Sequence, residues 1–245
     1  TQERLQGDKA VKTRSVLILA VLSLLLLPAA DLPAEIKTPK GFTSLLNGKD
    51  LSNWYGWSTR NPELLRKMSA AEQKAYKAKS REDIAKHWKI EGDVVVNDGH
   101  GLYLTTEREF ANYELLIDYK TVPKAHSGIS LKGGHQVQIW DYTDPSKFGI
   151  GGNKGSGGLW NNSKGAKGKD PLVLADKPFG EWNSFRIRMV GEKVTIHLNG
   201  KLVVDNARLE NYFDRKGGMP KRGPIQLQTH GGEICWRNVF IKELN

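Results

Sequence analysis

The 245-residue sequence is 38% hydrophobic and contains seven Trp, seven Tyr and seven Phe, which excludes an intrinsically disordered chain. Its 26 Gly are typical of a globular protein with many tight turns. The formal net charge of +10 raises nucleic acid as a partner, but the basic residues are spread along the chain, so we predict no nucleic-acid binding.

The N-terminal segment has the pattern of an export signal. Basic residues precede the apolar run Val16 to Leu27, and two alanines follow at 29–30. This order of a basic region, a short apolar core and small residues predicts a signal peptide over 1–30. The proline-containing stretch 31–41 is then a linker, and one domain is expected over 42–244.

The predicted location is therefore the periplasm or the cell exterior, with no stable membrane insertion after the signal is cleaved. The alternative for the apolar run is an uncleaved N-terminal anchor. Cys235 is the only cysteine, which excludes an intramolecular disulfide. An exported chain without disulfides fits a bacterial protein better than a eukaryotic secretory product.

The first element predicted after the linker is helical. Residues 61–87 are rich in Ala, Lys, Glu and Arg, and Ser69 and Glu72 have the spacing of a capping box. We expect a helical insertion on the surface of a domain that is otherwise built from strands.

From Trp88 onward, short apolar runs alternate with turn residues, which predicts an all-β sandwich or barrel. The clearest hairpin is VTIHLNGKLVV, where Asn199 and Gly200 suit a type I′ turn. In that hairpin Val194, Ile196 and Leu198 are expected to face the core, because alternate strand residues share one face.

The strand HQVQIWD, residues 135–141, has an unusual outer face. Val137 and Ile139 alternate with Gln136, Gln138 and Trp140, so amides and an indole share the face opposite the core. Such a face offers hydrogen-bonding groups for sugar hydroxyls and an apolar plate for the C–H side of a sugar ring.

A second strand, IQLQTH, repeats this pattern. Gln226, Gln228 and His230 alternate with inward-facing aliphatic residues, so the two strands together predict one amphipathic surface. The Gly-rich segment 148–179 is predicted to be a long loop. Trp160 of this loop is a second candidate aromatic contact. Its lysines are expected to be solvated, with contact to an anionic polymer as the alternative.

Five segments of the sequence carry a resemblance to a known family. The chain resembles the 3-keto-disaccharide hydrolase domain family in GFTSLLNGKDLSNW, HSGISLKGGHQVQIWD, GGLWNN, PFGEWNSFRIRMVGEKVTIHLNGKLV and GPIQLQTHGGEICWRNVFIKEL. This resemblance implies a concanavalin A-like jelly-roll sandwich of two antiparallel sheets with a saccharide groove on its concave face. It also implies hydrolase or lyase action on glycosides whose sugar carries a 3-ketone.

The sequence departs from the family pattern at two places. Gln136 stands where similar sequences commonly have an acid, and HSG at 126–128 replaces the usual NSG. Jelly-roll glucanases carry Glu, Asp and Glu at i, i+2 and i+5, and the same spacing here gives Gln136, Gln138 and Asp141. Amides neither donate a proton at neutral pH nor form a glycosyl ester, so double displacement is excluded on this strand.

A 3-keto sugar needs a different set of groups: one base near C2, and donors or a metal near the C3 oxygen. The candidate bases are His230, His135 and Asp141. The candidate donors are Lys132, Arg237 and the glutamines.

Each candidate has a structural alternative. Asp141 and His230 are also suited to turns, and Arg237 to a structural ion pair. Asp141 and Asp144 with backbone carbonyls suit Ca²⁺, but no EF-hand or HExxH spacing occurs, so no metal site is predicted. At the level of function, the alternatives to an enzyme are a non-catalytic carbohydrate-binding module and a surface interaction domain.

Overall fold

The computed structural model describes residues 37–245, so the predicted signal peptide at 1–30 lies outside the described residues. The helices described within residues 37–245 include none with the length and apolar character needed to span a bilayer. Thirteen strands are described, in chain order β1 (Thr43–Ser44), β2 (Trp54–Trp57), β3 (Trp88–Glu91), β4 (Val94–Asn97), β5 (Tyr103–Thr106), β6 (Tyr113–Thr121), β7 (Ser127–Leu131), β8 (His135–Ile139), β9 (Asn183–Val190), β10 (Lys193–Leu198), β11 (Lys201–Arg208), β12 (Gln226–Leu227) and β13 (Ile234–Glu243).

These strands form two antiparallel sheets, which confirms the predicted all-β sandwich. One is an eight-stranded sheet with the order β11-β10-β9-β6-β13-β4-β3, in which β1 also pairs with β13. The other is a five-stranded sheet with the order β2-β5-β12-β7-β8. The five-stranded sheet contains both strands that the sequence singled out for their glutamines.

The core lies between the sheets and follows the alternation of the strands. In β9, Phe185, Ile187 and Met189 are buried while the residues between them are exposed. The predicted hairpin is present, with Asn199 and Gly200 at φ angles of 51° and 79°, the left-handed conformation that a type I′ turn requires. The core positions predicted from this hairpin are confirmed: Val194, Ile196 and Leu198 are fully buried.

The predicted helical insertion forms α1 (Glu63–Arg66) and α2 (Ala70–His87). α2 begins with the expected capping box, in which Ser69 and Glu72 satisfy each other's backbone N–H groups. The insertion packs beside β2. From α2, Ser80 accepts a hydrogen bond from the Gly56 N–H at 3.0 Å, and Arg81 donates to the Trp54 carbonyl at 3.0 Å.

The predicted long loop is more ordered than its composition suggested. It contains 3-10 helices at Pro145–Ile150 and Gly152–Lys154. Its residues 156–160 then run antiparallel to β8: Gln138 N–H donates to the Gly158 carbonyl at 2.9 Å, and the N–H of Trp160 donates to the Gln136 carbonyl at 2.9 Å. This segment continues the five-stranded sheet on the far side of β8.

Candidate functional site

The outer face of the five-stranded sheet carries two rows of side chains. Val137 and Ile139 of β8 are fully buried in the core, so Gln136 and Gln138 point to the opposite face. Antiparallel register then aligns cross-strand neighbours on that face. The first row is Tyr55, Thr105, Gln226, Ser130 and Gln136. The second row is Trp57, Tyr103, Gln228, Gly128 and Gln138. We call this surface the glutamine face.

Gln136 is the centre of an amide network on the glutamine face. Its Nε2 lies 2.6 Å from Gln228 Oε1 and 2.9 Å from Gln138 Oε1. Gln228 Nε2 in turn donates to the Tyr103 hydroxyl at 3.0 Å, and Gln138 Nε2 donates to the Ile139 carbonyl at 3.0 Å. The glutamines therefore hold one another in fixed orientations, which makes the surface a preorganised polar platform.

Gly128 makes room for this network. A Cβ atom at residue 128 would lie 2.3 Å from Gln136 Nε2 and 2.5 Å from its Cγ. We expect Gly128→Ala to lower the free energy of unfolding by about 1–3 kcal/mol, because the Gln136 side chain must leave its hydrogen bonds. Denaturant unfolding measures this change.

The matched control is Gly149→Ala. No atom lies within 4 Å of a Cβ built at Gly149, so its stability should change by less than about 0.5 kcal/mol. Equal stability of the two variants would show that Gln136 moves aside without cost.

Histidine and tryptophan side chains continue the glutamine face beyond Gln138 and Gln228. The backbone N–H of His126 lies 3.3 Å from the His230 carbonyl, so His126 and His230 are cross-strand neighbours. Their ring centroids are 6.1 Å apart, and the His126 ring packs edge-on against Trp140 at 5.3 Å. His230 is exposed, whereas His126 and Trp140 are 7% and 9% exposed.

The two predicted aromatic contacts lie together. Trp160 belongs to the segment beside β8, and its ring is 5.3 Å from that of Trp140 at an interplanar angle of 84°. Lys169 Nζ lies 4.1 Å from the centroid of the Trp160 ring, and this cation–π contact stabilises the position of the indole. Trp140 and Trp160 thus form an aromatic corner next to the amide network.

His126 is a residue of this surface that the sequence analysis did not select. Its parity with Gly128 and Ser130 in SGISL was a sufficient signal, because positions two and four apart on a strand share a face. No hydrogen bond within residues 37–245 engages its Nδ1, which is sealed from solvent. Its Nε2 lies 3.8 Å from Asp144 Oδ2.

Asp141 has a turn-capping role. Its Oδ1 accepts hydrogen bonds from the backbone and hydroxyl of Thr143 at 2.8 and 2.6 Å, and its Oδ2 accepts from the Lys124 N–H at 2.7 Å. Burial opposes ionisation, but these hydrogen bonds outweigh it and keep the pKa of Asp141 below its ordinary value. Such a carboxylate is a weak base. Among residues 37–245, no group of three or more His, Cys, Asp or Glu is placed to hold a metal ion.

His135 lies away from the glutamine face, contrary to its prediction as a candidate base. It shares the parity of Val137 and Ile139 and is 1% exposed. Its Nδ1 lies 3.2 Å from the Leu131 carbonyl, and its Nε2 accepts a hydrogen bond from the Tyr212 N–H at 3.2 Å. Burial lowers the pKa of His135 to about 4. Both nitrogens are occupied, so His135 is a structural residue.

Lys132 and Arg237 are also absent from the surface on which they were predicted. Lys132 is 2% exposed, and its Nζ donates to the Gly191 carbonyl at 3.0 Å. Arg237 belongs to the other sheet, where its Nε lies 3.4 Å from Asp118 Oδ2 and its guanidinium lies 4.0 Å from the Trp182 ring centroid. Arg237 is therefore the structural ion-pair member that the sequence left as an alternative.

A cavity of about 140 Å³ opens above the glutamine face. Its lining combines residues of both rows with Trp160, Asn161 and the loop residues Tyr212 and Phe213. A larger cavity, of about 660 Å³, lies on the eight-stranded sheet. It includes Asp118, which is already bound by Arg237 and Asn238. The smaller cavity has the convergent amides and aromatic rings that suit a ligand site.

Comparison with known proteins identifies the family. A family model described as 3-keto-alpha-glucoside-1,2-lyase-like domain matches residues 41–242. A curated protein of Bacteroides thetaiotaomicron, 3-keto-disaccharide hydrolase, is 24% identical over 251 residues, covering 84% of this chain and 79% of that protein.

Crystal structures of two Parabacteroides distasonis proteins, both provisionally assigned as glycosyl hydrolases, share the fold. One has a TM-score of 0.56 at 20% identity and covers 84% of this chain and 94% of its own. The other has a TM-score of 0.55 at 24% identity, with coverages of 83% and 99%. Because the family model matches nearly all of the described residues, the chain belongs to the 3-keto-alpha-glucoside-1,2-lyase-like domain family.

Proposed function

We propose that this protein is an exported carbohydrate-active enzyme that cleaves 3-keto-glycosides on the glutamine face. The observation that carries the proposal is the position of His230, an exposed imidazole whose ring lies 6.1 Å from that of His126, which in turn packs against Trp140. The family match and the name of the Bacteroides relative support the substrate class. Export rests on the sequence pattern of residues 1–30.

Substrate binding in this proposal uses the two kinds of group that the face presents. The aromatic corner of Trp140 and Trp160 offers an apolar plate for the C–H side of a sugar ring. Gln226 and Gln228 line the cavity, and their Nε2 groups donate to Thr105 and Tyr103. The remaining lone pairs of their amide oxygens are the groups that would accept from sugar hydroxyls. The fixed amide network supplies orientation, because its members need no reorganisation when the sugar binds.

The chemistry follows from the ketone. The C3 carbonyl makes the hydrogen on C2 acidic, so His230 removes that proton and the electron pair moves onto the C3 oxygen. When the C3 carbonyl re-forms, the electrons of the C2–C3 enolate double bond form a C1–C2 double bond, and the C1–O bond breaks. The imidazolium of His230 gives its proton to the departing oxygen. Addition of water to the double bond then completes hydrolysis, and its omission gives the elimination product.

The test is incubation of the protein with a 3-keto-disaccharide and, separately, with its unoxidised parent. We expect cleavage of the keto-sugar only, because the parent has no acidic C2 hydrogen and the face has no carboxylate pair for double displacement. Mass analysis of the products distinguishes hydrolysis from elimination. Turnover of the parent glycoside would exclude the keto-sugar mechanism.

A second candidate function is non-catalytic carbohydrate binding. The observation that favours it is the mutual hydrogen bonding of Gln136, Gln138 and Gln228, a polar surface that supplies no general base or nucleophile. Calorimetric titration with both sugars separates the candidates. Binding of either sugar with no turnover of the keto-sugar would favour this function.

A further inference from the structure

An enolate mechanism needs a hydrogen-bond donor at the C3 oxygen, next to the base. Lys132 and Arg237, the predicted cationic donors, lie elsewhere. Gln136 already directs its amide N–H group to Gln138 and Gln228. A side chain next to His230 is therefore a candidate for this donor.

His126 lies next to His230 and has a ring nitrogen that no described residue engages in a hydrogen bond. It is the cross-strand neighbour of His230, and the T-shaped contact with Trp140 fixes its ring plane. It is 7% exposed, yet no hydrogen bond within the described part of the chain engages either ring nitrogen. The nitrogen that is both buried and unpartnered among residues 37–245 is Nδ1. Nε2 has no hydrogen bond to these residues and lies 3.8 Å from Asp144 Oδ2, so it can donate to a ligand without breaking a hydrogen bond of the fold.

The surroundings of His126 keep its ring neutral. Burial lowers the pKa of His126, and Lys147 and His230 lower it further, while Asp144 and Asp141 act in the opposite direction. A neutral imidazole carries one N–H, and the Asp144 carboxylate 3.8 Å from Nε2 favours the tautomer with the proton on Nε2. Because Nδ1 is sealed from solvent, Nε2 is the nitrogen available to a ligand.

We propose that His126 is a catalytic residue of the 3-keto-glycoside reaction, donating a hydrogen bond from Nε2 to the oxygen at C3 as the enolate forms. This inference rests on the proposed function. His230 takes the C2 proton, the C–H electron pair moves to the C3 oxygen, and the His126 N–H stabilises the charge there without transferring its proton. The pair then returns to expel the C1 substituent, which leaves with the proton held by His230.

A neutral donor suits this place better than a cation. A second positive charge 6.1 Å from the His230 ring would disfavour protonation of the base. Neutral histidine is used in this way in triosephosphate isomerase, where an imidazole with a lowered pKa polarises a carbonyl. In this proposal the exposed His230 is the base, and the buried His126 is the fixed hydrogen-bond donor.

The test compares His126→Leu, His126→Gln and the control His197→Leu, a histidine on the other sheet. We expect His126→Leu to lower kcat by about 10²–10³-fold with KM little changed. The exchange of the C2 hydrogen with deuterated water should slow with kcat. His126→Gln, which keeps an N–H at the position of Nε2, should retain activity within about tenfold of the native enzyme. His197→Leu should leave kcat unchanged.

Thermal unfolding gives a readout that a purely structural histidine would not produce. His126→Leu removes an unpartnered buried nitrogen, so its Tm should rise by about 2–4 °C while its activity falls. If the native protein cleaves the keto-sugar and His126→Leu has the same kcat, the inference is overturned. A fall in the Tm of His126→Leu that accounts for its lost activity would overturn it as well. No turnover of the keto-sugar by the native protein would instead reject the proposed function, and the role of His126 with it.

Discussion

Replacement of His230 by alanine is expected to lower kcat on a 3-keto-glycoside by about 10²–10⁴-fold, the usual contribution of a general base. KM should change little, because in the proposed binding mode the sugar contacts Trp140, Trp160 and the glutamines, which the substitution leaves in place. His230 is exposed, so truncation of its side chain should not disturb the core. Steady-state kinetics with a 3-keto-disaccharide measures the loss.

The matched control is His100→Ala, a substitution of another exposed histidine. The carbonyl of His100, which accepts from Asn97 at 3.0 Å, is retained in the alanine variant. Deuterium at C2 of the substrate should slow the native enzyme if proton removal limits the rate. Full activity of His230→Ala, with the control also unchanged, would remove His230 from the mechanism.

Acid is expected to destabilise the fold through His135. The ordinary pKa of histidine is about 6.5, and burial lowers that of folded His135 to about 4. Between these values the unfolded chain binds a proton that the folded protein excludes. His135 therefore contributes its full stability above about pH 6.5, and about 3 kcal/mol is lost as the pH falls from there to about 4.

Urea unfolding at pH 7.5 and pH 4.5 tests this expectation in the native protein and in His135→Gln. The variant should be less stable at pH 7.5, because glutamine does not reproduce both hydrogen bonds, to Leu131 and from Tyr212. Its loss of stability on acidification should nevertheless be smaller. His126 adds to the same acid sensitivity, since its pKa is also lowered. The assignment of the acid sensitivity to His135 would be contradicted if the loss of stability on acidification were unchanged in His135→Gln but reduced in His197→Gln.

Local patterns in the sequence were sufficient to predict the elements of the fold. The capping box at Ser69 and the Asn199–Gly200 turn depend on residues close together in the chain, and both are present. Strand alternation also predicted which side of β8 carries Gln136 and Gln138. The strand-like segment 156–160 was missed because its glycines have no hydrophobic alternation, and its pairing depends on the β8 backbone.

The candidate site was predicted less well, and each error has a physical cause. Alternation from Ser130 would place Lys132 on the glutamine face, but its φ of 49° turns the chain and ends the alternation. His135 is on the same side of the strand as Val137 and Ile139, which face the core, so alternation alone predicted that its side chain is buried. Arg237 precedes an irregularity in β13, and its sheet could not be deduced from local pattern. His126 and His230 lie far apart in the sequence, so local patterns could not predict that they are cross-strand neighbours.

The contacts made by Ser80, Arg81 and the segment 156–160 have a consequence for behaviour in concentrated solution. β2 and β8 are the outermost strands of their sheet, and an outermost strand with free N–H and C=O groups is a template on which another chain adds a strand. The helix side chains occupy such groups of Trp54 and Gly56, and the glycine-rich segment occupies those of Gln136 and Gln138. These contacts leave fewer backbone groups at both borders for the addition of another strand.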